Sequence, residues 1–251
     1  MLIYGINPVL EAMKARRVTR LRVSTRHDKR IDEILRLAST EKVPVERLDA
    51  QALDRATKGA AHQGVVAEVE GSREYSIQEL LAAPAAPRIP HSAPLIVVLD
   101  GIEDPHNVGA ILRTCDAAGV TGVIRQERHS AALDGAVGKA SAGALAHVRI
   151  GSVVNVARAI EELKKANVWT IGLAGDATDL YTDVDWTLPS AVVLGAEGTG
   201  LRRLVAERCD RVVSIPMLGT VSSLNVSVAA GVVLYEVVRQ RGEKRVSSSL
   251  S

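Results

Sequence analysis

Three polar segments in the second half of the chain hold most of the side chains that could do chemistry. They read Asp100-Gly-Ile-Glu-Asp-Pro-His-Asn-Val-Gly-Ala-Ile-Leu-Arg113, Leu194-Gly-Ala-Glu-Gly-Thr-Gly-Leu201 and Ile215-Pro-Met-Leu-Gly-Thr-Val-Ser-Ser-Leu-Asn225. Glu197 is the most unusual residue among them. A carboxylate set among glycines offers no surface to a core and no evident cap to a helix, so it reads as a substrate contact. The glycines permit close backbone approach or positive φ. They lack both the GxGxxG order and the GK[ST] ending, so a phosphate cradle is poorly supported. Arg113 lies among Ile111, Leu112 and Ala117 on an otherwise apolar helical face; arginine resists burial without a partner, and a phosphate or carboxylate would provide one. Asn107 suits an N-cap, as does Ser222 or Ser223. Asn225 opens the most apolar helix of the chain with an amide that needs a hydrogen-bond partner. Singly, each residue has a structural explanation; together, at three corresponding loop positions, they read as one site.

What would bring them together is the element pattern. Each segment sits where an apolar strand gives way to a helix, and in open α/β sheets such loops gather at the carboxyl edge. The run Leu95-Ile-Val-Val-Leu99 suits a strand buried on both faces. After it the periodicity predicts helix 107–118, strand 121–125, helix 133–140, strand 146–150, helix 152–166, strands 168–173 and 191–195, helix 201–207, strand 211–215 and helix 223–240. This is an α/β fold with a mostly parallel sheet and helices on both faces. Before it come helix 6–15, strand 20–24, helix 30–40, a short strand near 43–45, helix 49–57 and strand 64–69, a small α/β unit. Residues 83–94 hold four prolines, which deny helix and sheet hydrogen bonds. The chain is therefore divided into an N-terminal domain, 1–72, a Pro/Ala-rich linker, 73–93, and a larger domain, 94–251. The helix 223–240 is apolar nearly all round, which implies burial in a core or against a second subunit.

Composition narrows the partners. The net charge is +2, but residues 1–72 carry 13 Lys/Arg against 10 Asp/Glu, whereas 94–251 carry 16 against 17. Lys14, Arg16, Arg17, Arg20, Arg22, Arg26, Lys29 and Arg30 surround the single acid Asp28, a local positive field of the kind phosphate backbones seek. The chain has no Phe, so aromatic platforms for base stacking are scarce. No stretch has the length and apolarity of a membrane span, and the first ten residues lack a basic-then-apolar leader pattern. Two cysteines, Cys115 and Cys209, without CxxC spacing, and six scattered histidines suggest no metal site and a reduced cytoplasm.

In order, spacing and local sequence, the three segments resemble the signature motifs of the SpoU branch of the SPOUT superfamily, the S-adenosylmethionine-dependent RNA 2′-O-methyltransferases. The resemblance extends to Ile3-Tyr-Gly-Ile-Asn-Pro-Val-Leu-Glu-Ala12 and Ala61-His-Gln-Gly-Val-Val-Ala67. These are similar to the small RNA-binding domain of bacterial enzymes that methylate a guanosine ribose in 23S rRNA. It thus covers nearly the whole chain. It implies a deep trefoil knot over about 194–226, where periodicity alone gives an unknotted sheet. It implies S-adenosylmethionine held by Gly195, Ile215, Met217 and Leu224, a polar site of Asn107, Arg113, Glu197, Ser223 and Asn225, and a homodimer built through the knotted region. RNA would be engaged by Arg16, Arg17, Arg20, Arg22 and Arg26. Transfer from a sulfonium to a ribose hydroxyl needs in-line positioning and no metal. Arg113, too basic to act as a base, would bind the target phosphate. The alternatives are the same chemistry on tRNA or another rRNA nucleotide, and a non-catalytic ribosome assembly factor.

Overall fold

A computed structural model describes residues 2–25, 29–70, 73–83, 93–133 and 135–248, with side chains to 242. The first lobe is a four-stranded sheet in the order β1-β4-β2-β3, from β1 (Leu2–Tyr4), β2 (Val18–Ser24), β3 (Val45–Leu48) and β4 (Val65–Val69). β4 runs antiparallel to β1 and β2, and β3 parallel to β2. The helices α1 (Ile6–Lys14), α2 (Lys29–Thr40) and α3 (Ala50–Ala56) accompany it. Its core joins Val9 and Met13 of α1, Ile31 and Ile34 of α2, and Leu21, Val23 and Val65 of the strands. β1 was not expected: three residues are too short for alternation to register.

The segment expected as linker opens with a helix, α4 (Ile77–Leu81). Ser76 and Glu79 form a reciprocal capping box, and Leu80 is fully buried against Ile96, Val98 and Ile124 of the second lobe. Prolines dominate only the later part of the stretch, and residues 84–92 lie outside the described residues.

The second lobe is a seven-stranded sheet in the order β7-β6-β5-β10-β8-β11-β9, parallel in every pair. Its strands are β5 (Leu95–Asp100), β6 (Gly122–Gln126), β7 (Ile150–Val153), β8 (Trp169–Leu173), β9 (Asp179–Leu180), β10 (Ser190–Gly195) and β11 (Arg211–Ser214). All six residues of β5 and of β10 are buried, as a central parallel pair requires. One face is covered by α5 (Pro105–Ala118) and α9 (Val226–Ser248), through Ile111, Leu112, Val233 and Leu234. The other is covered by α7 (Val156–Lys165), α8 (Arg203–Arg208) and α4, through Ile160, Leu163 and Val205. Strand β7 starts four residues later than expected, because Ala144–Ala146 form a short helical turn and only from Ile150 does the chain pair with β6.

The lobes meet at α6 (Gly135–Ala140), in the Ala/Gly-rich stretch. A β-carbon at Gly135 would lie 2.6 Å from Cδ1 of Tyr4, and one at Gly109 of α5 would lie 2.9 Å from the backbone at Ala140 and Ser141. Only glycine lets this helix slot between the first lobe and α5. Arg17 Nη1 donates to the Leu145 carbonyl at 3.2 Å, and Glu11 meets His147 at 3.3 Å across the same seam. Glu11 is held below the usual carboxylate range, first by its hydrogen bond to Lys14 and then by His147.

Candidate active site

Helix α5 does not begin at Asn107 as the capping rule suggests. Pro105 occupies the first turn, where its missing N–H costs nothing, and Asp104 caps the helix by accepting from the His106 and Asn107 amides. Asn107 is thereby freed from capping and its buried side chain points into the site. Its Nδ2 donates to Glu197 Oε2 at 3.1 Å, and its Oδ1 accepts from Asn225 Nδ2 at 3.0 Å. Asn225 in turn caps α9: its Oδ1 accepts from the Ser227 amide at 2.9 Å and from the Ser227 hydroxyl at 2.6 Å. The cap expected of Ser222 or Ser223 thus falls to Asn225, the nearest side chain to the helix start. One amide chain joins all three loops.

Glu197 stands on a loop closed by a bond from Gly200 N to Ala196 O, with Gly198 at φ 81° and Gly200 at φ 68°. Beside it opens a cleft of about 880 Å³, within the range for a small-molecule site. Gly195, Ile215, Met217 and Leu224 line it, as do Glu197, Ser223 and Asn225. Among the described residues its walls carry two carboxylates, Asp176 and Glu197, and no lysine or arginine. Such a lining is unsuited to a nucleotide polyphosphate and suits a neutral adenosine carrying a sulfonium cation. Asp176 and Thr178 were not singled out from sequence, although they follow β8 at the same carboxyl edge and the strand-to-loop rule would have found them.

Arg113 departs from expectation. It is exposed on α5, and among the described residues its guanidinium has no acidic or hydrogen-bonding partner. Burial is therefore no argument for a ligand there; an uncommitted cation one helical stretch beyond Asn107 is what remains. The basic run of the first lobe divides similarly. Arg22 pairs with Glu46 and Glu68, and Arg17 ties the lobes together, so both serve the fold. Arg16 pairs with Glu41 at 3.1 Å on the surface, Arg20 is exposed, and Arg26 lies outside the described residues. No group of three or more metal-ligating side chains occurs among the described residues. Burial pushes the Cys115 thiol far up and that of Cys209 up to about 12, which removes both as nucleophiles near neutrality.

Fold and site define a doubly wound α/β protein whose small-molecule cleft is floored by the loops after β8, β10 and β11, with the loop after β5 joined to its lip through Asn107. Residues 94–235 match the SpoU rRNA Methylase family, and residues 2–75 match the RNA 2′-O ribose methyltransferase substrate-binding family. The chain belongs to the SpoU rRNA Methylase family. It is 44% identical over 249 residues to the 23S rRNA (guanosine-2′-O-)-methyltransferase RlmB of Pseudomonas putida, covering 97% of this chain and 98% of that protein. The protein of the same name from Vibrio cholerae is also 44% identical, over 251 residues, covering 97% and 98%. Among solved structures, the SpoU methyltransferase AviRb of Streptomyces viridochromogenes in complex with AdoMet superposes with a TM-score of 0.80 at 28% identity, covering 97% of this chain and 91% of that one. The TrmH/SpoU tRNA modifying enzyme of A. aeolicus is 34% identical with a TM-score of 0.56, covering 62% of this chain and 80% of its own.

Proposed function

We propose that this protein transfers a methyl group from S-adenosylmethionine to the ribose 2′-hydroxyl of a guanosine in 23S rRNA. The observation that carries the reading is the Glu197–Asn107–Asn225 chain at the lip of a cleft whose lining, among the described residues, is acidic and holds no lysine or arginine. Support for the rRNA substrate comes from the first lobe: the rRNA guanosine methyltransferases match over nearly their whole length, and the tRNA enzyme over a smaller share of this chain.

Gly195, Ile215, Met217 and Leu224 would hold the cofactor through backbone and aliphatic contacts. When bound, S-adenosylmethionine supplies the methyl group activated on sulfur. The amide chain fixes the three loops so that Glu197 can orient the incoming ribose, and positioning of this kind supplies much of the acceleration of an in-line displacement. Arg113 binds the phosphate beside the target nucleotide and favours ionisation of the 2′-hydroxyl electrostatically, the hydroxyl proton passing to solvent as its oxygen takes the methyl and the sulfur leaves as a neutral thioether. Ser223 lies at the cleft wall as a further hydrogen-bonding group. Residues 1–72 serve as the RNA-binding domain, with Arg16 and Arg20 as surface contacts and Arg26 beside them in sequence. The chain from about 194 to 226 carries the trefoil knot.

The working form is a homodimer. Val228 and Tyr235 are exposed on α9 two turns apart, and Leu218 and Val221 are exposed on the loop leading to it, an apolar patch that a second copy would cover. No helix among the described residues is long and apolar enough to cross a membrane, and both cysteines are free, in keeping with a cytoplasmic site of action.

Transfer of tritium from methyl-labelled S-adenosylmethionine to 23S rRNA and, separately, to total tRNA tests the reading, with Glu197→Ala as control. Label on a guanosine ribose of 23S rRNA is the expected result. Label in tRNA alone overturns the substrate, and binding of S-adenosylmethionine without transfer to either RNA overturns the assignment as an enzyme of naked rRNA.

A further inference from the structure

Glu197 is exposed, and among the described residues the side-chain contact holding it is the one from Asn107. Its position must therefore come from its backbone. The loop that carries it leaves β10 at Gly195, which stands directly opposite Asp100 in the parallel ladder with β5. It returns at Arg202. There the Asp100 carboxylate, fully buried, accepts from the Arg202 amide at 2.9 Å and from Nε at 2.7 Å, and Nη2 completes a forked contact. The loop closes so tightly on itself that a β-carbon at Gly195 would collide with the backbone at Gly200 and Leu201. Both ends of the loop are thus pinned to one residue, and that residue is also the last of the strand that leads to Asn107.

A buried carboxylate is costly unless its lone pairs are filled, and a fork plus an amide fills them with directional bonds. Arg202 itself is half-exposed and contributes little to the core. We propose that Asp100 and Arg202 are a positioning pair: together they set the Glu197 loop against the loop after β5, so that the carboxylate meets Asn107 at the lip of the cleft. Neither residue needs to touch the cofactor or the RNA. The inference rests on the reading of Glu197 as part of the reacting site.

The test is a set of single-turnover methyl-transfer rates for Arg202→Gln, Arg202→Lys and Asp100→Asn, in the native background and combined with Glu197→Ala, alongside calorimetric S-adenosylmethionine binding and thermal melts. Misplacing a reacting group by about 1 Å costs on the order of 10²-fold in rate. Arg202→Gln is expected to lose roughly 10- to 100-fold in rate with cofactor affinity within about twofold of native, Arg202→Lys to recover part of it, and Arg202→Gln to cost nothing further once Glu197 is alanine. Equal losses with and without Glu197 would overturn the inference, as would a lowered melting point with an unchanged rate. Should Asp100→Asn fail to fold, the half-exposed Arg202 variants still decide the matter. If Glu197→Ala alone left the rate unchanged, the reading of the site would fall first, whatever the pair does.

Discussion

Replacing Asn107 by aspartate keeps the shape of the side chain and turns one of its bonds into a repulsion. In the native protein its Nδ2 donates to Glu197 Oε2 at 3.1 Å. In Asn107→Asp two carboxylate oxygens face each other at that distance. With an effective dielectric of about 20, like charges so placed repel by about 5 kcal/mol; because Glu197 is exposed, a value nearer 40 is apt, giving about 3 kcal/mol. The lost bond to a charged acceptor adds about 1.5–3 kcal/mol. The pair escapes by taking up one proton, which restores a donor and costs about 1.4 kcal/mol for each pH unit above about 4. The folded-state pKa of the pair is thus raised, the folded state binds more protons than the unfolded one, and stability is lost as pH rises from about 4 toward 8. For a chain of this size each kcal/mol lowers Tm by roughly 2–4 °C, so the deficit should be a few degrees near pH 5 and about 10–20 °C near pH 8. Thermal melts of Asn107→Asp across that range, with Asn107→Leu as a control lacking both the charge and the bonds, measure it. Parallel curves for the two variants would refute the placement of the Asn107 amide against the Glu197 carboxylate.

Gly135→Ala drives a methyl into the Tyr4 ring and should cost about 1–3 kcal/mol, read as a lower Tm and a raised KM for RNA with S-adenosylmethionine affinity unchanged. Arg20→Ala should leave Tm unchanged and reduce the salt dependence of RNA binding by about one unit of slope, because Arg20 is exposed and serves no seam of the fold. Tyr235→Glu on the exposed stripe of α9 should shift the protein from dimer to monomer by light scattering at micromolar concentration. Glu11, its pKa lowered first by Lys14, adds stability that is present above its unfolded pKa and lost as pH falls below it. Glu11→Gln should therefore melt below the native protein at pH 7 and merge with it toward pH 3. Cys115 and Cys209 should resist thiol reagents at pH 7.5 in the folded protein, and both should label once guanidinium unfolds it.

The long elements were legible because each carries its own period: β5 and β10 are apolar throughout, and α7 repeats on one face with Val156, Ala159, Ile160 and Leu163. What escaped were elements whose reason lies elsewhere in the chain. β1 exists because β4 pairs with it, and α4 because Leu80 fills a gap beneath β6. Glu197, Asn107 and Asn225 could be gathered as a site from their loop positions, but the division of labour among them could not. Local rules made Asn107 a cap, although the preceding Asp104-Pro105 does that better, and made a serine the cap of α9, although Asn225 reaches first. Arg113 and Arg17 show the converse. Charge and position in sequence are alike readable for both, yet only the packed lobes reveal that one has no partner among the described residues and the other is spent on the Leu145 carbonyl.

The thinness of α6 bears on how such proteins can be recombined. With glycine at 135 meeting Tyr4, glycine at 143 meeting Glu11, and glycine at 109 meeting Ala140, both sides of this junction tolerate no added atom. A chimera that grafts another first lobe onto this catalytic lobe will seat only if the donor's counterparts of Tyr4 and Glu11 fit those hollows. The first lobe is consequently not a freely exchangeable module: replacing it means redesigning a helix that lies directly against the one bearing Asn107.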